Sequence, residues 1–249
     1  MSEISLGDKI KYYRLRAKKS QLDLELETGL STGTLSRIEN GNINPTKETL
    51  SRVAEVLKLR PSEVAYLLDL HIFSIYELIE AIEKISNSIT LEATLQTAVD
   101  IMYDLYPNYN GGFILLPDAT NSFLTVKTVS KIPNIEFLEQ IINKNIQEVR
   151  LALTHRNICV QSYTENMILQ SFNMVDFTRD TLPDIVSNTL GIVLKFGSGV
   201  MMPLKYRGNV IGSIAFTKRV KQIFNNEEVK MLELLNEKIA EILVVKLHP

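Results

Sequence analysis

Apolar residues recur at helical spacing through the first third of the chain and at strand-like spacing further on, which predicts two different architectures in sequence order. Leu6, Ile10, Tyr13 and Leu15 predict a first helix. Ser20, with Asp23 three residues later, is a capping-box-like start for a second helix from about Gln21 to Thr28. Gly29 suits a left-handed helix end, Leu30 anchors the turn, and Ser31 is placed to cap a third helix running to about Asn40. Gly41 closes that helix. Thr46 then caps a fourth, carrying Leu50, Val53, Ala54 and Leu57, and Pro61 opens a fifth in "PSEVAYLLDL".

From Pro61 to about Ser88 the positions Val64, Leu67, Leu68, Ile72, Ile75, Leu78, Ile79, Ile82 and Ile85 keep a helical period with no Gly or further Pro. Such a stripe needs a partner, either a following domain on which a broken helical connector lies or a second chain in a bundle. Another helix, "LEATLQTAVDIMYDLY", leads to the turn "PNYNGG". The period then changes. "GGFILLPD" and "SFLTVKTVS" are strand-like and are separated by the turn residues "DATNS", and "GSGVMMPLKYRGNVIGSIAF" predicts two strands joined at Arg207, Gly208 and Asn209. "IEFLEQIINKNIQEV" and "NNEEVKMLELLNEKIAEILVV" predict helices and "NICVQSY" a short strand. Residues 165 to 195 fit no single pattern.

A chain of 249 residues with 45% hydrophobic and 22% charged residues has enough apolar mass for one large domain or two ordinary ones. No cationic leader and no uncharged apolar window of about 18 residues is seen, so a cytoplasmic protein without a membrane segment is expected. Cys159 is the single cysteine, which fits a reducing compartment. The net charge of −2 hides an asymmetry: residues 1 to 60 hold 11 Lys/Arg against 8 Asp/Glu, whereas the remainder holds 16 against 21. Six of the cations, Lys9, Lys11, Arg14, Arg16, Lys18 and Lys19, fall within eleven residues that contain no acid. Such a run is either a solvated helix face or a surface for a polyanion.

The tight Gly-Leu-Ser turn between the second and third helices favours a helix-turn-helix with its second helix exposed. "SQLDLELETGLSTGTLSRIENGNINPTKETLSRVAEVLKL" resembles the Cro/XRE-type helix-turn-helix of phage repressors and bacterial regulators, over roughly residues 5 to 68. By position, the resemblance implies that Gln21, Thr34, Ser36 and Asn40 contact phosphates of double-stranded DNA and that Thr32, Gly33 and Arg37 face the bases. Lys9, Lys11 and Arg14 on the basic first helix are read as further backbone contacts. Arg37 is the strongest candidate for base discrimination, because a guanidinium bonds both acceptors of guanine. The alternative is a salt bridge to Glu39 or Glu27. Two positions depart from the family: Gly33, where a larger polar residue is common, and Glu25, where the family has a small Ala between the helices.

The later succession of helices, strands, an irregular middle, a hairpin and a closing helix resembles a GAF domain, chiefly through "GVMMPLKYRGNVIGSIAF" and the "F-NNEEVKMLELL" segment. The resemblance implies a central antiparallel sheet with helices on one face and a ligand cavity on the other. The expected organisation is therefore an all-α helix-turn-helix domain at 1–70, a helical connector at 71–90 and an α+β GAF-like domain at 91–249. No enzyme is expected, because no nucleophile elbow, metal-ligand cluster or phosphate loop is seen, and no cofactor or metal is expected. His71, His155 and His248 are too scattered for a metal site. Cys159 reads as a buried residue or a redox thiol, and Met201 and Met202 as core filling or cavity lining. The expected function is a homodimeric transcription regulator on a two-fold operator. Its second domain either senses a small-molecule effector or is a ligand-free interaction and dimerisation module.

Overall fold

The computed structural model describes residues 5–68, 75–106, 108–131 and 135–247. The chain divides into two compact units, Met1–Ser74 and Ile75–Pro249.

The first unit is all helical: α1 Leu6–Arg16, α2 Gln21–Thr28, α3 Thr34–Glu39, α4 Lys47–Val56 and α5 Pro61–Leu67. Local chemistry sets these boundaries. The Ser5 side chain accepts from the Asp8 N–H, Ser20 and Asp23 form a reciprocal capping box, and the Thr46 side chain accepts from the Thr49 N–H. Gly29 ends α2 in the left-handed conformation, with φ of 68°. The helices enclose Ile10, Tyr13, Leu24, Leu35, Ile38, Val53, Leu57 and Leu67. Gly7 lets α1 cross close to the end of α3, because a β-carbon there would lie 2.4 Å from the Ile38 carbonyl oxygen. Leu15 departs from the expected apolar stripe of α1 and is exposed.

The second unit is built on one six-stranded sheet: β1 Tyr109–Pro117, β2 Phe123–Val129, β3 Arg150–Ala152, β4 Leu169–Ser171, β5 Ser198–Tyr206 and β6 Asn209–Lys218. Their order across the sheet is β3-β2-β1-β6-β5-β4, with every pair antiparallel. β5 and β6 turn at Arg207 and Gly208, both with positive φ, as a two-residue hairpin requires. Helices α6 Ile75–Ser86, α7 Leu91–Leu105 and α12 Asn226–Leu247 pack together, α7 on β1 and β2 and α12 on β5. Asn236 of α12 donates to the Pro203 carbonyl at 2.7 Å, fixing that contact. α6 thus belongs to the second unit, packed on α12 and α7.

The remaining helices are α8 Ile135–Ile142, α9 Ile158–Glu165, α10 Met174–Thr178 and α11 Asp184–Val193. Their side of the sheet has its own core, including Leu115, Leu124, Leu151, Cys159, Phe177 and Met201. Three local expectations are corrected. "NICVQSY" is helical rather than a strand, because the Asn157 side chain accepts from the Val160 N–H and caps α9. The helix expected across 135 to 149 ends at Ile142 and is followed by a 3-10 turn at Ile146–Glu148. α3 starts at Thr34, three residues after the expected cap at Ser31.

Candidate functional site

The candidate site is the turn between α2 and α3 with the outer side of α3. Its geometry begins with Gly29, beyond which the Leu30 N–H bonds back to the Glu25 carbonyl at 2.9 Å. Gly33 then caps α3 in the left-handed conformation with φ of 82° and brings no side-chain hydrogen bond to the helix. A β-carbon on Gly33 would meet nothing within 4 Å, so the backbone angle and not the space calls for glycine there.

The missing cap is supplied from the neighbouring helix. The Glu25 carboxylate, only 3% exposed, accepts from the Leu35 N–H in the first turn of α3 at 2.7 Å. This explains why an acid can stand where a small residue is expected: it satisfies a backbone donor that no local side chain reaches. Leu22 and Leu26 point outward, while Leu24, Glu25 and Thr28 form the buried face of α2.

The other end of α3 is fixed by Glu39. Its carboxylate receives Arg14 Nε at 2.6 Å and Nη2 at 2.9 Å, and Gln21 Nε2 donates to the same group at 2.7 Å. Arg14 Nη1 also donates to the Lys19 carbonyl at 2.9 Å. Glu39 therefore ties α1, the first turn of α2 and the end of α3 together. The bidentate bond to Glu39 holds the Arg14 guanidinium more strongly protonated than usual, against the opposing effect of burial.

Two of the residues expected to contact phosphates are buried and bonded within the unit. Arg14 is 7% exposed and Lys9 3%. Lys9 Nζ donates to the Tyr66 carbonyl at 3.0 Å and sits 4.6 Å from the centre of its ring. Both cations are engaged inside the unit, so neither projects toward a ligand. Gln21 is half-buried and held by Glu39. Arg16 pairs with Glu63 and Lys19 with Glu27. Of the basic run, Lys11 and Lys18 are exposed and have no acid partner among the described residues.

On α3 and its approach Thr32, Gly33, Arg37 and Asn40 are exposed, and Thr34 and Ser36 are half-buried. Asn40 Nδ2 donates to the Ser36 carbonyl at 2.8 Å. Arg37 carries no ion pair among the described residues: Glu39 is taken by Arg14 and Glu27 by Lys19, so the two alternative acids are engaged elsewhere. The face thus offers one unpaired guanidinium among short polar groups.

In the second unit a cavity of about 550 Å³ lies beside the sheet, lined by Leu138, Ile142, Val149, Phe177, Leu190 and Phe196 among others. Cys159 also lines it, 1% exposed, with its thiol donating to the Phe177 carbonyl at 3.3 Å. Burial pushes that thiol far above the ordinary cysteine range, the opposite of what a reactive thiolate needs. Met201 packs into the core beneath, and neither it nor Met202 is among the lining residues. His155 Nδ1 lies 3.2 Å from Thr181 Oγ1, and His71 and His248 lie outside the described residues. Among the described residues no three His, Cys, Asp or Glu are grouped to hold a metal ion, and no helix is long and apolar enough to cross a membrane.

Residues 10–64 match the helix-turn-helix family model. The second unit has the fold of GAF domains. The GAF domain of a phosphoenolpyruvate-protein phosphotransferase from Acinetobacter is 17% identical, with 69% of this chain and 92% of that chain covered at a TM-score of 0.51. Residues 122 to 287 of a methyl-accepting chemotaxis protein are 18% identical, with 67% and 96% covered, also at 0.51. A GAF domain from a Coxiella burnetii phosphoenolpyruvate-protein phosphotransferase is 10% identical, with 69% and 92% covered, at 0.51. No curated protein matches the sequence. The chain therefore carries a Cro/XRE-type helix-turn-helix in its first unit and an α+β domain of the GAF fold in its second.

Proposed function

We propose that the protein is a sequence-specific DNA-binding transcription regulator that occupies a two-fold operator as a homodimer, with its second unit sensing a small molecule. The observation that carries this reading is the exposed, unpaired Arg37 on α3, a helix held at both ends by the buried acids Glu25 and Glu39. A guanidinium on a fixed helix can bond both acceptors of guanine in the major groove, while Thr32, Gly33 and Asn40 beside it are small enough for close approach. Thr34, Ser36 and Asn40 are assigned to phosphates, with Lys11 as the long-range cation. Gln21, held through one amide N–H by Glu39, keeps its second N–H for a phosphate.

One such helix makes few base contacts, so two half-sites are needed, with centres about 34 Å apart. The dimer surface is assigned to α12. Leu234 and Val245 are exposed there and lie on one stripe, eleven residues apart, with the Lys238–Glu241 ion pair between them. The sensing part of the reading is supported by the cavity, whose volume falls within the range of small-molecule sites; a ligand-free interaction module has no need of such a space.

Selection of bound sequences from random duplex DNA by the purified protein tests the reading. A two-fold motif with half-sites one helical turn apart, weakened at a guanine by Arg37→Ala, is expected. Enrichment of no sequence in dilute salt would end it.

A further inference from the structure

The cavity in the second unit has an apolar body and one charged end. By strand register, the start of β1, the end of β2 and the end of β6 lie together: Gly111 faces Thr217 and Phe113 faces Val129. Four of the cavity's lining residues, Asn110, Lys131, Lys195 and Arg219, belong to that end. Arg219 follows β6 and donates through Nε to Asn110 Oδ1 at 2.7 Å. Asn110 in turn donates to the carbonyls of Leu194 and Lys195, at 3.0 and 3.2 Å, bringing the end of α11 to the same place. Lys131 follows β2 there as well, with Asp100 Oδ2 at 3.8 Å.

Three cations, Lys131, Lys195 and Arg219, are thus among the lining residues, and no Asp or Glu is. Asp100, the nearest acid to Lys131, already accepts from the Gln96 side chain and the Lys131 N–H. Arg219 is half-buried and pairs with no carboxylate among the described residues; its one polar side-chain partner is the neutral Asn110. That bond occupies Nε and leaves the two terminal nitrogens, the paired donors that fit a carboxylate. A cationic or zwitterionic guest would bring its ammonium to an end where Lys195 and Arg219 carry positive charge with no carboxylate partner among the described residues. A fully polar guest would strip water for contact with Leu138, Ile142 and Phe177 and gain nothing.

Resting on the sensor reading above, we propose that the effector is an amphipathic monocarboxylate: an apolar chain or ring among Leu138, Ile142, Leu151 and Phe177, with its carboxylate on Arg219 and Lys195. Long-range attraction then comes from all three cations and affinity from the apolar body.

Calorimetry on the full-length protein, without DNA and below the concentration at which each probe forms micelles, tests the assignment with octanoate, decanoate, decan-1-ol and decylamine. Decanoate should bind at least tenfold more tightly than decanol, decylamine should not bind, and each methylene from octanoate to decanoate should raise affinity about fourfold. Arg219→Met should lower decanoate affinity at least tenfold and leave decanol unchanged, its thermal melt confirming the fold. Should that variant fail to fold, Lys195→Met, at an exposed position, should lower decanoate affinity severalfold. Equal affinity for acid and alcohol, a folded Arg219→Met with undiminished decanoate binding, or no binding of either acid would overturn the proposal. Operator affinity separates this failure from failure of the sensor reading. Decanol binding in place of decanoate and shifting operator affinity would sink the carboxylate and keep the sensor. Decanoate binding with operator affinity unchanged would support the carboxylate and remove the sensor.

Discussion

Three charged residues of the first unit, Arg14, Arg37 and Glu25, show how differently charge acts according to where it sits. Arg14 and Glu39 form a buried pair, so Arg14→Ala leaves a carboxylate without its partner and should cost about 3 to 5 kcal/mol. Arg37→Ala removes an exposed group and should leave the melting curve nearly unchanged, while about 1 to 3 kcal/mol of base discrimination is lost in operator titrations. Two arginines of one small unit are thus separable by a melt and a titration. Glu25→Ala should destabilise the first unit by about 1 to 2 kcal/mol and speed hydrogen exchange at the Leu35 amide, because that donor then has no acceptor. Glu25→Gln keeps an acceptor and should retain most of the protection. The role assigned to Arg37 is the one expected from the sequence; the buried partners of Arg14 and Glu25 are not legible there. Glu39 lies 25 residues from Arg14, and Tyr66 lies 57 residues from Lys9, so a run of cations looks alike whether its charges face water or the interior.

The elements announced by short-range chemistry were the legible ones. α2 carries its capping box within four residues and ends on Gly29, and α4 carries Thr46; both fall where the sequence predicts. β3 and β4 hold only three residues each and owe their state to a neighbouring strand, which no local pattern records. α9 departs from the expected strand because Ile158, Val160 and a short apolar run suit either state, and the Asn157 cap decides for the helix. A pH test belongs at the level of α1 and α5. Burial tends to raise the Glu63 carboxyl, but hydrogen bonds from Arg16 and the Arg60 N–H outweigh it and hold the group below the ordinary carboxylate range. The folded state therefore gains stability from Glu63 above about pH 4.3 and loses it as pH falls through the lowered value. Because Arg16 is partly solvated, the gain is modest. Acid titration of the first unit followed by circular dichroism should be flatter for Glu63→Gln than for the parent.

At the scale of the whole molecule, the order of units is readable because the hydrophobic period itself changes along the chain, from helical in the first unit to a continuous apolar run in β1 and alternation in β2 of the second. The cavity was foreshadowed only by resemblance, since its lining draws on β1, β2, β6, α8, α9, α10 and α11, which the chain brings together from distant segments. Sedimentation should report a dimer at micromolar concentration. Leu234→Glu with Val245→Glu should shift it to monomer, with the fold intact because both side chains are exposed. A dimer that survives the double change would move the self-association surface elsewhere.

The three-way junction at Glu39 also bears on how this polypeptide could be shortened. Removal of the chain through Arg16, as by cleavage between α1 and α2, would omit the guanidinium that neutralises the carboxylate at the foot of α3. Such a product would lack a formed reading helix altogether, so truncation at that point would act as an off state and not as a weaker version of the regulator.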